Sequence, residues 1–222
     1  EGDLRLVDGS QLIQTHTSAA NLNSGSGSLH VDQTASTLTA YQSGYWSSPV
    51  RNSGTLAGAK YAIDQVLTDG KVATAAIASA GEALGINFIS GNDGSSSTTP
   101  IEISTRWLAK LNNAGDWTRS VSPGASVFSP GEGWNMKSVG ARFTFKGTPN
   151  DGNYTFTIDE NNYSLLGNPY PSALDAEEFI SDNSSGFNGI LYIYNSASDN
   201  THVRGNYAGT YNTIISGVSV GG

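Results

Sequence analysis

Apolar and polar positions alternate with a period of two along much of the chain, the spacing of strands rather than of helices. In residues 3–14 (DLRLVDGSQLIQ), Leu4, Leu6 and Leu12 fall on one side, and Asp8-Gly9 supplies a turn between two short strands. The pattern returns in residues 28–38 (SLHVDQTASTL), where Val31-Asp32 lines up with Val7-Asp8 at an offset of 24. Two readings fit: successive rungs of a β-solenoid, or two ordinary strands of a sandwich. Residues 38–50 (LTAYQSGYWSSPV) predict a strand that Pro49 ends or confines to a sheet edge. Residues 53–85 are the most helix-permissive, with Ile63, Val66 and Leu67 near helical spacing. One or two short helices, or a long excursion over a sheet edge, suit them equally.

Residues 90–100 (SGNDGSSSTTP) predict a loop. Residues 106–120 predict a hairpin, a strand from Trp107 to Leu111 turning at Asn113-Ala114-Gly115 into Trp117-Thr118. Residues 129–139 predict a turn followed by a strand. Residues 141–158 predict the clearest hairpin, alternating on both sides of Pro149-Asn150-Asp151-Gly152. Residues 189–195 (GILYIYN) predict a buried strand, and YNTIISGVSV the last one. The expected fold is all-β. A jelly-roll-like β-sandwich would span residues 39–222, preceded in residues 1–38 by N-terminal strands or one or two solenoid-like rungs.

The densest stretch is residues 163–179 (YSLLGNPYPSALDAEEF). Gly167-Asn168 permits backbone angles that bulky residues avoid. Pro169 and Pro171 fix their own φ and push Asn168 and Tyr170 into extended conformations. Ser172 is placed as an N-cap, and Asp175, three residues on, can reach back as in a capping box. Glu177 and Glu178 then favour the positive end of the helix. A rigid corner formed by Asn168, Pro169, Pro171, Ser172 and Asp175 should launch a short helix over residues 173–180, and cap and turn roles alone account for every residue in it.

Composition narrows the function. The net charge of −8 and the isoelectric point near 4.7 argue against nucleic acid and anionic membrane surfaces, while permitting divalent cations. There is no cysteine, so neither disulfide nor thiolate chemistry is available. No run of about 18 apolar residues exists to insert into a membrane. Residues 1–3 lack the basic and apolar regions of a signal peptide, and the chain stops without a closing signal, as expected of a piece excised from a longer protein. Low charge with abundant Ser, Thr and Gly suits an extracellular or bacterial cell-surface setting.

Catalytic patterns are missing. No Gly-x-Ser-x-Gly elbow is present, and the three histidines, His16, His30 and His202, have no zinc-site spacing. Glu102 and Glu132 are isolated carboxylates, so no catalytic residue is assigned. Calcium is the one cofactor the composition admits. Asp151, Asn153, Asp159 and Asn161 could converge at one end of a sandwich, and residues 196–200 (SASDN) offer another loop, although turn chemistry explains the same residues. Ligand contact points to the aromatics. Trp117, Trp134, Tyr170 and Tyr45 could form a platform on which sugars stack their C–H faces. Trp46 and Trp107, in strand-like contexts, read as core, and Trp117 beside a hairpin turn is the best exposed candidate.

YSLLGNPYPSALDAEEFI resembles the GNPYPSA(I/L)D signature of a β-rich module found in large secreted and surface proteins of Bacteroidetes-type bacteria. SGYWSSPV, FSPGEGWNMKS, RFTFKGTPNDGNYTFTI and DLRLVDGSQLIQ resemble further elements of that module in the expected order, the last being the strand that closes a parallel β-solenoid. The resemblance implies a multidomain, adhesin-like parent exported by type IX secretion, and carries no catalytic residue. The expectation is a non-catalytic surface module for adhesion or glycan contact. Its partners would be a glycan or another cell-surface component, and neighbouring domains of the same chain. The alternatives are a structural cap or spacer on a solenoid and an accessory carbohydrate-binding domain of a polysaccharide-degrading enzyme.

Overall fold

The computed structural model describes residues 2–15, 23, 25–35, 39, 41–52, 60–70, 84–197, 202, 209–216 and 218–220. The elements in chain order begin with β1 (Leu4–Leu6), β2 (Leu29–Thr34), β3 (Ser43–Trp46), β4 (Val50–Arg51) and β5 (Tyr61–Ala62). The one-turn helix α1 (Ile63–Val66) leads into β6 (Leu67–Asp69), β7 (Leu84–Gly85), β8 (Asn87–Ile89) and β9 (Glu102–Ser104). Next come β10 (Lys110–Leu111), β11 (Trp117–Thr118), β12 (Val127–Phe128), β13 (Trp134–Lys137) and β14 (Arg142–Pro149). The chain ends with α2 (Ala176–Asp182), β15 (Ile190–Ser196), β16 (Gly209–Ile215) and β17 (Val218–Val220). The fold is all-β.

β14 is the hub. It pairs antiparallel with β2 over Arg142–Gly147, with β6 over Phe143–Phe145 and with β4 at Thr148 and Pro149. Both edges of β14 are therefore filled, which explains a departure from expectation: residues 153–158 alternate as a strand should, yet form none. A strand needs a free edge to pair with, and the hairpin partner expected there finds β2 and β6 already in place.

β1 lies parallel to β2, pairing Leu4 with Leu29 and Leu6 with Val31. This is the geometry of stacked rungs, but the register is 25, one residue from the alignment of Val7 with Val31. The shift matters because one residue exchanges the two faces of a strand. In the observed register Leu6 and Val31 both enter the core. On the other face Arg5 bonds Asp32 at 2.7 and 3.1 Å, and Thr144 of β14 donates to the same carboxylate at 2.7 Å.

The core lies where β14 meets the β3–β13 pair. Trp46 of β3 stands edge-on to Phe143 at 5.3 Å, and Trp134 of β13 edge-on to Phe145 at 6.4 Å. Tyr61, Phe128, Leu67, Ile101 and Ile103 complete it, all fully buried. Of the helix-permissive region, 53–59 and 71–83 lie outside the described residues, and the rest holds one helix, α1, among the short strands β5, β6 and β7. The strand at residues 189–195 is found as β15, but not buried: Tyr192 is 42% and Ile193 50% exposed. It belongs to a small β15–β16–β17 sheet that meets only β3 and α2 among the described elements, too little cover for its faces.

The corner at 168–171 is built as a junction. Both X–Pro bonds there are trans. The Asn168 side chain accepts from the Tyr170 amide at 2.9 Å. Buried Asn150 donates to the carbonyls of Ser48 and Pro169, both at 3.0 Å, and the Pro171 carbonyl accepts from the Leu12 amide at 2.9 Å. Ser172 is not the N-cap. Asp175 is, its carboxylate accepting from the amides of Glu177 and Glu178, so the helix starts at Ala176 rather than 173. A carboxylate that gathers two N–H groups outcompetes a hydroxyl whose residue still belongs to the proline turn.

His30, fully buried on β2, has its Nε2 3.4 Å from Asp3 without hydrogen-bond geometry. Burial, aided by Lys146, holds its imidazole below the ordinary value near 6.5. The unfolded chain takes up that proton near pH 6.5 while the folded chain resists, so stability falls as pH drops below about 6.5. Asp3, held below the ordinary carboxylate value mainly by the Ser28 amide, adds a loss of the same sign further into acid. Melting temperatures at about pH 7.5 and 5.5 should show the drop, and His30→Gln should flatten it. An unchanged slope in that variant would remove His30 from the account.

Candidate functional site

β3 carries Trp46 into the core and, one residue back, turns Tyr45 to the opposite face, as strand geometry requires. There Tyr45 meets residues from three other strands. Its ring stacks on Tyr194 of β15 at 4.6 Å and leans on Trp117 of β11 at 5.5 Å. Its hydroxyl shares a 3.0 Å hydrogen bond with that of Tyr211 of β16. Burial, reinforced by this bond, pushes the Tyr45 phenol up, so it stays protonated. Tyr194 and Tyr211 face each other across β15 and β16 at 5.3 Å. Gly209 makes room for this, since a Cβ there would fall on the Tyr194 ring.

The row extends outward. Tyr192 meets Tyr211 at 6.3 Å and Tyr163 meets Tyr192 at 5.7 Å, both edge to face. Trp117, Tyr211, Tyr192 and Tyr163 are 37%, 46%, 42% and 69% exposed. Six aromatic rings thus run in contact across the surface. Beside Trp117, Tyr45, Tyr194 and Tyr211 lies a groove of about 300 Å³, lined also by Ser43, Arg119, Asn135 and Lys137.

The floor of the groove is anchored at one end. Lys137, with 3% of its side chain exposed, pairs with Asp93 and lies 3.1 Å from Nδ1 of His202. An ammonium only donates, so Nδ1 accepts, and Nε2 presents its proton to Asp93 at 2.9 Å. Trp107 and Tyr41 wall the ammonium at 5.0 and 5.6 Å. Trp107 is itself held through its indole N–H on the Asn92 carbonyl at 2.6 Å.

The structure sorts the candidate ligand residues. Tyr45 and Trp117 come together. Trp134 does not join them: it is fully buried on β13, because the residues of WNMK that face inward include its ring, and no ligand reaches it. Tyr170 stands in the corner, donating its hydroxyl to the Gly152 carbonyl at 2.7 Å. Tyr194, Tyr211, Tyr192 and Tyr163 escaped sequence reasoning. The one available signal was the Tyr-x-Tyr spacing in residues 189–195, which sets two rings on one face of a strand.

Among the calcium candidates, Asp151 is buried and accepts from the Gly152 amide, while Asn153, Asp159 and Asn161 are exposed. Asn161 has φ +63°, a conformation asparagine tolerates, within a turn closed on the Asp159 carbonyl. No cluster of three or more His, Asp or Glu side chains suited to a metal occurs among the described residues. The second loop, residues 196–200, lies mostly outside them, as does His16. Glu132 pairs with Lys110 at 3.3 Å and Glu102 accepts from Asn87 at 3.1 Å, so both carboxylates have structural partners.

A family model described as a domain of unknown function, DUF8693, matches residues 90–219, more than half of the chain. The chain belongs to the DUF8693 family. The DUF8693 region supplies every ring of the aromatic row except Tyr45, together with Arg119, Asn135 and Lys137. Among the curated proteins and the solved structures, no match to the chain was found.

Proposed function

We propose that this chain is a non-catalytic module of a secreted bacterial cell-surface protein, and that its aromatic groove contacts glycan. The carrying observation is the row of six touching rings, four of them more than a third exposed, beside a groove with polar residues in its lining. Sugar C–H faces stack on such rings, and Ser43, Asn135 and Arg119 offer hydrogen-bonding partners to hydroxyls. The secreted, adhesin-like setting rests on the sequence resemblance. Calcium bound by the loop at residues 151–161 is carried as part of the proposal.

The test is binding of the purified chain to a panel of soluble glycans and insoluble polysaccharides, with calcium and with chelator. Saturable binding is expected, and Trp117→Ala should weaken it at least about tenfold, roughly 1.4 kcal/mol. Turnover of a polysaccharide would end the non-catalytic reading. A folded chain that binds nothing on the panel would favour a second reading, the solenoid cap. That reading draws on the parallel β1–β2 rungs, whose β2 edge is covered by antiparallel β14. Covering an open edge in this way blocks further strand addition.

A further inference from the structure

We infer that the groove selects an acidic glycan, with Arg119 receiving a sugar carboxylate while the same or the next sugar ring rests on Trp117. This rests on the glycan reading of the groove and names the ligand class.

The first support is charge. The chain has 19 acidic and 11 basic residues, so an average patch of its surface is acidic. The described residues lining the groove include no carboxylate, and the charged ones are Arg119 and Lys137, the latter paired with Asp93. Sites for neutral sugars use Asp and Glu as acceptors for hydroxyls; here the acceptors left are hydroxyls, an amide and backbone carbonyls. A glycan carboxylate would meet no like charge on these walls.

The second support is the division of labour between the two cations. Lys137 is buried and its charge is met by Asp93, beside His202 and between two rings. It fixes the floor. Arg119 is exposed and lines the groove, directly after β11. A guanidinium presents a planar fork that matches a carboxylate, where a lysine would offer only a point charge.

The third support is placement. Trp117 lies on β11 and Arg119 follows that strand directly, and both line the same groove. A pyranose ring stacked on the one leaves its carboxylate, or that of the next unit, to the other. The chain's overall charge of −8 opposes long-range capture of a polyanion, so recognition would depend on these short contacts.

The experiment titrates the full chain with polygalacturonate, alginate and hyaluronate, each beside its carboxyl-reduced counterpart, with chelator present to prevent calcium bridging. Reduction leaves the stacking faces and removes the charge. At least one polyuronate should bind, at least tenfold more tightly than its reduced form. Arg119→Gln should erase that preference, and Arg119→Lys restore part of it. Trp117→Ala should weaken both forms of the polymer. Equal affinity for a polymer and its reduced form, unchanged in Arg119→Gln, overturns the inference and leaves the glycan reading standing. Binding only to neutral glycans of the wider panel does the same. No binding to any glycan removes both. Circular dichroism of the exposed-site variants separates lost binding from lost folding.

Discussion

Trp134→Ala is expected to lower the unfolding free energy by about 3–5 kcal/mol, the range for emptying a large aromatic site in a core. The indole is fully buried and touches Tyr61, Phe128 and Phe145 at centroid distances of 6.0, 5.4 and 6.4 Å. Those neighbours are themselves wide and held by strands, so the space cannot close without moving β13. Its N–H has no partner among the described residues, so the loss is one of packing rather than of hydrogen bonding. Trp134→Phe should therefore be much milder, since it keeps most of the contact and removes an unpaired donor. Urea unfolding of the two variants checks this, with the shift read in the midpoint at constant slope. A loss under about 1 kcal/mol for the alanine variant would contradict the core described here. Trp134 also pairs in register with Trp46, the residue next to Tyr45, so the same variant should loosen the groove from behind.

The second large effect is expected at the Arg5–Asp32 pair. Its side chains are only 5% and 4% exposed, and Asp32 also accepts from Thr144. Three strands, β1, β2 and β14, meet on this one carboxylate. Asp32→Ala leaves a buried guanidinium without its counter-charge, which costs about 3–5 kcal/mol. Arg5→Ala leaves an equally buried carboxylate with the Thr144 hydroxyl, so its cost should be of the same order. The double variant should lose less than the sum of the two, because the unpaired charge is no longer there. Additive losses would mean that the two groups do not sense each other. A loss under about 1 kcal/mol for Asp32→Ala would mean that β1 is held by backbone pairing alone.

Local chemistry was readable in the sequence, and pairing at a distance was not. The period of two in β14, the turn before β13, the hairpin at Lys110–Thr118 and the proline corner all follow from neighbours in the chain. The likeness of β1 to β2, which pair in parallel, was visible as a repeat, but a repeat fixes its register only to within a residue until one face is seen to be buried. Residues 153–158 show the limit from the other side. Their alternation is as good as that of β14, and what decides their state is whether an edge is vacant. The groove was half legible. Tyr45 and Trp117 stood out by residue type and turn context, whereas Tyr194 and Tyr211 reach it only because β15 and β16 lie beside β3. Trp134 shows why aromatic type alone misleads: residues 46 and 134 pair across two strands and face inward together.

The placement of β14 sets the order in which the molecule can fold. Thr144 and Asp32 touch although they are 112 positions apart, and every long pairing of the main sheet passes through β14. Chain closure over such a span is slow, and it comes before any reward from the contacts it brings. On a ribosome adding about 5–20 residues per second, β1 and β2 emerge many seconds before the strand that seats them. Until then Leu29 and Val31 have no inner partner, and their exposed edge is the part of the nascent chain most open to a chaperone or to a wrong strand. Shortened chains ending before residue 142 should therefore aggregate rather than fold in part.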